Sequence, residues 1–315
     1  MKRRTFTGAI FSGLPLTGLY ARAAKPKAGD VPRRVFGKTG VEVSVIGQGG
    51  ARMKLLRTKE EARAHLRYAY ELGLTYWDCA HSYWGGQAEE VYGDALAPHR
   101  KELFLTSKTT KRTAREAEAQ LDLSLRRLRT DYLDLWQIHG VGTMEDVERI
   151  FAPGGAIEAF EAAKKKGKCR FIGFTGHRDP YVLNEMMIRY DGFDTILMPL
   201  HAADPSYLSF EKITLPEAVK RGLGIQAMKV FGNAFLLRVL SAKECLEYAL
   251  SLPIHCAAVG CSTRGQLDDD LRTAQARRRL SGEEMDELRR RAVEDGLGAA
   301  TGPALEYWKR VTAGA

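Results

Sequence analysis

Apolar and polar positions follow two periods along this chain. Short apolar, β-branched or aromatic runs occur at residues 43–46, 75–78, 103–106, 133–138, 170–174, 195–198, 224–228 and 257–259. Runs of this length and content predict buried strands. Longer stretches between them have helical spacing: residues 59–72, 88–96, 114–128, 157–166, 181–189, 215–221, 243–250 and 266–277. In the first of these, Ala62, Leu66, Ala69 and Leu72 fall on one helix face. Gly73, Gly167 and Gly222 follow three of the stretches, where a left-handed cap is expected. A charged helix is predicted over 282–293.

Eight strand–helix repeats in about 280 residues predict an α/β fold, a (β/α)8 TIM barrel. An open doubly wound sheet is the rival, and it calls for Gly-x-Gly-x-x-Gly after its first strand. Here the first run is followed by Gly47-Gln48-Gly49-Gly50-Ala51-Arg52, with the glycines wrongly spaced. Ahead of the barrel, residues 34–45 carry Gly37-Lys38-Thr39-Gly40 between two β-like runs. This reads as a β-hairpin that plugs the barrel's base. No linker or repeat divides residues 34–315, which read as one barrel with a C-terminal helix and tail.

Charge changes the picture at one end. The 315 residues carry 48 Lys and Arg against 39 Asp and Glu, a formal charge of +9. Lys2, Arg3, Arg4, Arg22, Lys25 and Lys27 face only Asp30 in the first 30 residues, so more than half the excess lies there. Residues 1–23 join a basic start, a short apolar run broken by Gly13, Pro15 and Gly18, and Ala21-Arg22-Ala23. That is the layout of a signal peptide. Arg3-Arg4-Thr5-Phe6 resembles a twin-arginine export signal. The expectation is a periplasmic or otherwise exported protein that meets the twin-arginine machinery transiently and is not inserted in a membrane after signal removal. A cytoplasmic location follows if this segment is not a signal. The remaining excess is thinly spread, so nucleic acid is not an expected partner. Five cysteines, an odd number with no Cys-x-x-Cys pair, argue against a disulfide framework.

Barrel enzymes place their chemistry at the carboxyl ends of the strands. The second strand ends in Asp78, with Tyr83 five residues on; the third ends in Ser107-Lys108; the fourth ends in Gln137-Ile138-His139. An Asp, a Lys, a Tyr and a His thus meet on one rim. A tyrosine hydroxyl titrates near 10 and is a weak acid at neutrality, and a nearby ammonium lowers that value. Asp78 is suited to hold Lys108 charged, and His139 to donate to the oxygen that Tyr83 protonates.

These residues carry a resemblance. From Arg34 to Arg277 the chain resembles the aldo-keto reductase superfamily. Arg34-Val35-Phe36-Gly37-Lys38-Thr39-Gly40 is similar to its opening hairpin. Tyr76-Trp77-Asp78 through Tyr83, then Glu89-Glu90-Val91-Tyr92-Gly93, is similar to its signature around the catalytic tyrosine. Leu135-Trp136-Gln137-Ile138-His139 is similar to the strand that bears its histidine. The resemblance implies a metal-free reductase of aldehydes or ketones, using NADPH with NADH as the alternative, on a small carbonyl substrate. Tyr83 is then the proton donor, Lys108 and Asp78 tune it, and His139 orients the carbonyl.

The cofactor pattern departs further from the family. Thr175-Gly176 stands where Ser-Asn usually grips the nicotinamide carboxamide, and Leu197 where a Gln is common. Met228 replaces an aromatic that stacks on the ring, a role a thioether can fill. Lys229 and its loop are suited to face the pyrophosphate, and Met228-Lys229 with Gly176-His177 resembles a divergent branch of the superfamily. Gly260, Ser262, Arg264 and Gln266 resemble the adenosine loop, and Arg264 suits a 2′-phosphate. Asp270 stands at an adenine-contacting Asn position, where negative charge disfavours a phosphate-bearing cofactor. Met53, Trp84, His177 and Phe231 are expected to line the substrate pocket.

Two other readings stay open at this point. His81, His139, His177 and His201 all follow strands and can be imagined as ligands of a metal-dependent barrel hydrolase. The altered nicotinamide contacts are also compatible with a non-catalytic barrel that senses a cofactor or binds a partner.

Overall fold

A computed structural model describes residues 28–295 and Lys309. Residues 1–23, the expected signal, lie outside the described residues. Among the described residues, ten strands form two sheets. β1 (Arg33–Val35) and β2 (Glu42–Ser44) make an antiparallel hairpin. β3 (Ile46–Gly49), β4 (Tyr76–Asp78), β5 (Phe104–Thr109), β6 (Leu133–Ile138), β7 (Cys169–Thr175), β8 (Thr195–Pro199), β9 (Gly224–Met228) and β10 (Cys256–Val259) close into a parallel barrel, with β10 against β3. The fold is the expected (β/α)8 TIM barrel with an N-terminal hairpin.

The helices follow in chain order. They are α1 (Lys59–Glu71), α2 (Gln87–Leu96), α3 (Ala114–Leu128), α4 (Met144–Phe151), α5 (Ala156–Lys165), α6 (Pro180–Arg189), α7 (Phe210–Ile213), α8 (Leu215–Lys220), α9 (Ala242–Ser251), α10 (Arg264–Gln275) and α11 (Gly282–Arg290). Gly73, Gly167 and Gly222 all have positive φ, as their cap positions require.

Strand alternation sorts the side chains into two cores. Outward residues such as Trp136, stacked on Phe160 of α5 at 3.7 Å, join the large layer under the helices. Inward residues Tyr76, Phe104, Leu135 and Cys256 form a second cluster with Phe36 and Val43 of the hairpin. Phe36 meets the Tyr76 and Phe104 rings edge-on at 5.7 and 5.4 Å. A Cβ on Gly224 would lie 2.8 Å from the Phe36 ring, so glycine there admits the plug. Truncating so large a buried ring costs about 3–5 kcal/mol.

Three expectations need correction. Residues 43–46 are not one strand. Val43 ends in the hairpin, and the first barrel strand is Ile46–Gly49, which starts at the last residue of that run and continues through the glycines read as following it. Its glycines belong in the wall, because a Cβ on Gly47 would lie 2.5 Å from the Tyr76 ring. α4 and α7 went unpredicted: α4 offers only Val147 and Ile150 as buried residues, and α7 is one turn. The last predicted helix is regular only to Arg290 and then widens into a π turn. Among the described residues, no helix is long and apolar enough to cross a membrane, and all five cysteines are free and buried.

Candidate active site

β4, β5 and β6 are neighbours in the barrel wall, and their inward residues converge at one end. Lys108 Nζ donates to Asp78 Oδ1 at 2.6 Å and to the Cys79 carbonyl at 2.8 Å. It also lies 3.4 Å from the Tyr83 hydroxyl. Lys108 is 1% exposed and Asp78 4%. Charges this deep persist only when paired and hydrogen-bonded, and the Thr106 hydroxyl adds a donor to Asp78 at 3.3 Å. Burial works against the Lys108 charge, but Asp78 and Tyr83 outweigh it and hold its pKa above the ordinary value.

Tyr83 reaches this pair from a tight loop. His81 N–H donates to the Lys108 carbonyl at 3.1 Å and Tyr83 N–H to Ala80 at 3.0 Å. Trp84, Gly85 and Gly86 then run left-handed, with φ of 51°, 61° and 94°. For Trp84 that conformation costs about 1–2 kcal/mol. Burial pushes the Tyr83 pKa up to about 12, against the pull of Lys108.

The His139 ring stands edge-on to Tyr83, with centroids 5.6 Å apart. Burial, then the charge of Lys108 and the neighbouring His177 and Arg112, hold its pKa well below the usual histidine range. The imidazole is therefore neutral at neutral pH. Arg112 donates to the His139 and Gly140 carbonyls at 3.1 and 3.2 Å and pairs with Asp146 at 2.8 Å, holding this loop. The four expected residues thus come together: a fixed ion pair, a phenol beside the ammonium, and a neutral imidazole against the phenol.

Of the residues expected to line the pocket, Trp84, His177 and Phe231 are partly exposed, with Trp84 next to Tyr83 in the chain and His177 close enough to act on His139. Met53 does not. It is fully buried in the outer core, because residues 50–55 coil into a tight turn that tucks it inward. The histidines do not gather either. His81 turns away to Ser124 at 3.1 Å, and His201 is fully buried. Among the described residues, no three His, Cys, Asp or Glu side chains are arranged to hold a metal.

The rim of the other strands supplies a different kind of group. Thr175 ends β7, and its hydroxyl accepts from Gly140 N–H at 3.0 Å. A Cβ on Gly176 would lie 2.4 Å from the Val141 carbonyl oxygen and 2.5 Å from Leu183. No asparagine fits there, so packing dictates this departure from the family pattern. Met228 ends β9, partly exposed. Lys229, Asn233 and Ala234 follow with positive φ. Lys229 Nζ and Arg52 Nη2 both reach Asn233 Oδ1, at 3.4 and 3.0 Å. Arg52 also lies across Gly260, where a Cβ would meet its side chain at 2.5 Å. Sequence reasoning missed Arg52 and Asn233; a cation directly after the first strand's glycines was the available signal.

The α10 terminus is the remaining part. Ser262 N–H donates to Gln266 Oε1 at 2.9 Å, and Thr263 caps the helix. Arg264 opens the helix with its guanidinium 4.8 Å from the Tyr68 ring centroid. Asp270 is buried and accepts from Cys261 Sγ at 3.1 Å. Burial lifts its carboxyl to about 7, so the full negative charge expected at this position is not present at neutral pH.

Two guanidinium or ammonium groups on one neutral amide oxygen, a third at a helix N-terminus and a partly exposed Met228 fit an anionic dinucleotide with a flat ring. Arg52, Lys229 and Arg264 would hold its phosphates, and Thr175 and Met228 its ring end.

Comparison with known proteins bears on the family and the fold. The aldo/keto reductase family model matches residues 45–243. The chain is 35% identical over 166 residues to an uncharacterized oxidoreductase, YqkF, of Bacillus subtilis, covering 49% of this chain and 51% of that protein. It is 39% identical over 137 residues to the methylglyoxal reductase YeaE of Escherichia coli, covering 42% and 45%. The matches thus span about half the length of these curated relatives. Among solved structures, the holo form of aldo-keto reductase AKR11C1 from Bacillus halodurans superposes with a TM-score of 0.70 at 23% identity, covering 82% of this chain and 96% of that one. An aldo-keto reductase from Klebsiella pneumoniae in complex with NADPH gives 0.68 at 24% identity, covering 85% and 95%.

Proposed function

The chain belongs to the aldo/keto reductase family, and from that premise we propose that it reduces a small aldehyde or ketone to an alcohol with Tyr83 as proton donor. The observation that carries this reading is the buried ammonium of Lys108, touching Asp78 on one side and Tyr83 on the other. The nicotinamide cofactor, when bound, supplies the hydride. As negative charge develops on the carbonyl oxygen, the Tyr83 hydroxyl gives it a proton. Lys108 stabilises the phenolate left behind, and Asp78 keeps Lys108 charged and aimed. The neutral imidazole of His139 offers an N–H to the same oxygen. A positioned acid of this kind is worth about 10²–10⁴ in rate.

NADPH is the proposed cofactor, with Arg264 as the 2′-phosphate ligand and NADH as the alternative. Loss of reduced-nicotinamide absorbance with a panel of aldehydes and ketones, run with each cofactor, tests both points. NADPH oxidation that depends on the carbonyl supports the reading; neither binding nor turnover contradicts it. The crowded Gly176 favours one second reading, a barrel that binds the cofactor without turning it over, and binding without oxidation is its signature.

We also propose export of the folded protein on residues 1–23, with its cofactor already bound. Periplasmic recovery that requires Arg3 and Arg4 tests this, and unchanged export of the Arg3→Lys, Arg4→Lys double variant contradicts it.

A further inference from the structure

Behind the strands of the candidate site lies another ion pair, its carboxylate fully buried and its guanidinium partly so. Glu89, in the first turn of α2, is fully buried. It accepts from the Ser107 hydroxyl at 2.6 Å and from Arg127 Nη1 at 3.3 Å. Ser107 immediately precedes Lys108 and points the opposite way, so one carboxylate grips the outer face of the strand whose inner face carries the ammonium. His81, two residues before Tyr83, lies 3.8 Å from the same carboxylate.

Arg127 comes from the last turn of α3, and glycine lets it arrive. A Cβ on Gly93 of α2 would lie 2.3 Å from the Arg127 carbonyl oxygen, so only glycine permits this approach of the two helices. The side chain then extends along α2 to Gly86, where a Cβ would stand 2.4 Å from the guanidinium. Gly86 is the last of the three left-handed residues after Tyr83. A strained loop persists only where its surroundings over-determine it. The guanidinium closes this one from behind, and Glu89 fixes the guanidinium.

We propose that Arg127, seated between Gly86 and Glu89, is a positioning residue that holds the Tyr83 loop in register with Lys108. The inference rests on the proposed role of Tyr83. The Arg127 guanidinium contacts Glu89 and Gly86, so its loss is expected to act on proton donation and not on cofactor capture. Small misplacements of reacting groups are expensive.

The test compares Arg127→Met, Arg127→Lys and Gly86→Ala, with Tyr83→Phe as control. For each, the Kd for NADPH alone and the kcat on a reducible aldehyde are measured per folded molecule. Arg127→Met is expected to lower kcat about tenfold or more, with the NADPH Kd within about twofold. Arg127→Lys, which keeps a cation for Glu89, is expected to recover most of that loss. Gly86→Ala combines the clash with the guanidinium and the strain of a side chain at a φ of 94°, and is expected to lower kcat even if Arg127→Met does not fold. Wild-type kcat in Arg127→Met or Gly86→Ala, or no recovery in Arg127→Lys, overturns the proposal while Tyr83→Phe is inactive. An active Tyr83→Phe overturns the underlying assignment of the proton donor instead.

Discussion

The two halves of the barrel rim are built differently. On the side of β4, β5 and β6 the charged groups are already matched. Asp78 and Lys108 lie on regular strand, buried and 2.6 Å apart, with backbone carbonyls and hydroxyls filling the remaining positions. On the side of β9 and β10, Arg52 and Lys229 converge on a neutral amide, in a loop where Lys229, Asn233 and Ala234 are left-handed. The first half is organised before any ligand arrives, which is what proton transfer in a dry site requires. The second half gathers cations around that amide, where the proposed cofactor would bring its phosphates. The difference underlies the proposed division of labour: one side for chemistry, the other for capture.

If that division is real, substitutions in the two halves should fail in different ways. The largest effect is expected from Lys108→Met. It strands the buried Asp78 charge and removes the ammonium beside Tyr83, so kcat should fall by about 10³ or more and stability by about 3–5 kcal/mol. Steady-state kinetics and urea unfolding read the two losses. Lys309→Met should match it in stability alone. Lys309 and Asp204 form a fully buried pair at 2.7 Å, and Asp204 also accepts from Ser209, Phe210 and Glu211. The expected cost is again about 3–5 kcal/mol, with kcat per folded molecule near wild type.

A smaller, opposite signature is expected across the rim. Arg52→Ala should raise the NADPH Kd about tenfold through a lost charge-assisted contact, with kcat at saturation nearly unchanged. Calorimetric titration beside steady-state kinetics separates these. The smallest effect concerns Asp270, whose carboxyl is raised from 3.8 to about 7 in the fold. The unfolded chain releases this proton first, so wild-type stability should fall from about pH 4 to about pH 7 and level off above. Asp270→Asn should remove that fall and raise the Tm at pH 8 by about 3 °C. An identical pH profile in the variant would assign the titration elsewhere.

The same contrast explains what was legible in the sequence. Strand-end chemistry was readable because alternation fixes which way Asp78, Lys108 and His139 point once the strands are found. The hairpin plug was readable from its turn glycines. The start of the barrel was not. Gly47 and Gly49 look like loop residues until the Tyr76 ring and the Val259 backbone are seen to occupy the space their side chains would take. The capture half was only partly readable for a related reason. Arg52 and Asn233 are 181 positions apart, and no local period links them. Met53 failed through the local turn that buries it. Glu89 and Arg127 meet only because Gly93 lets two helices close up.

Tyr83→Phe tests the division most directly, because it removes one oxygen at the boundary between the halves. NADPH affinity and aldehyde turnover should be measured on the same preparation. The expected result is binding within about twofold of wild type and turnover reduced by about 10³ or more. Persisting turnover, or binding lost together with turnover, would contradict the account.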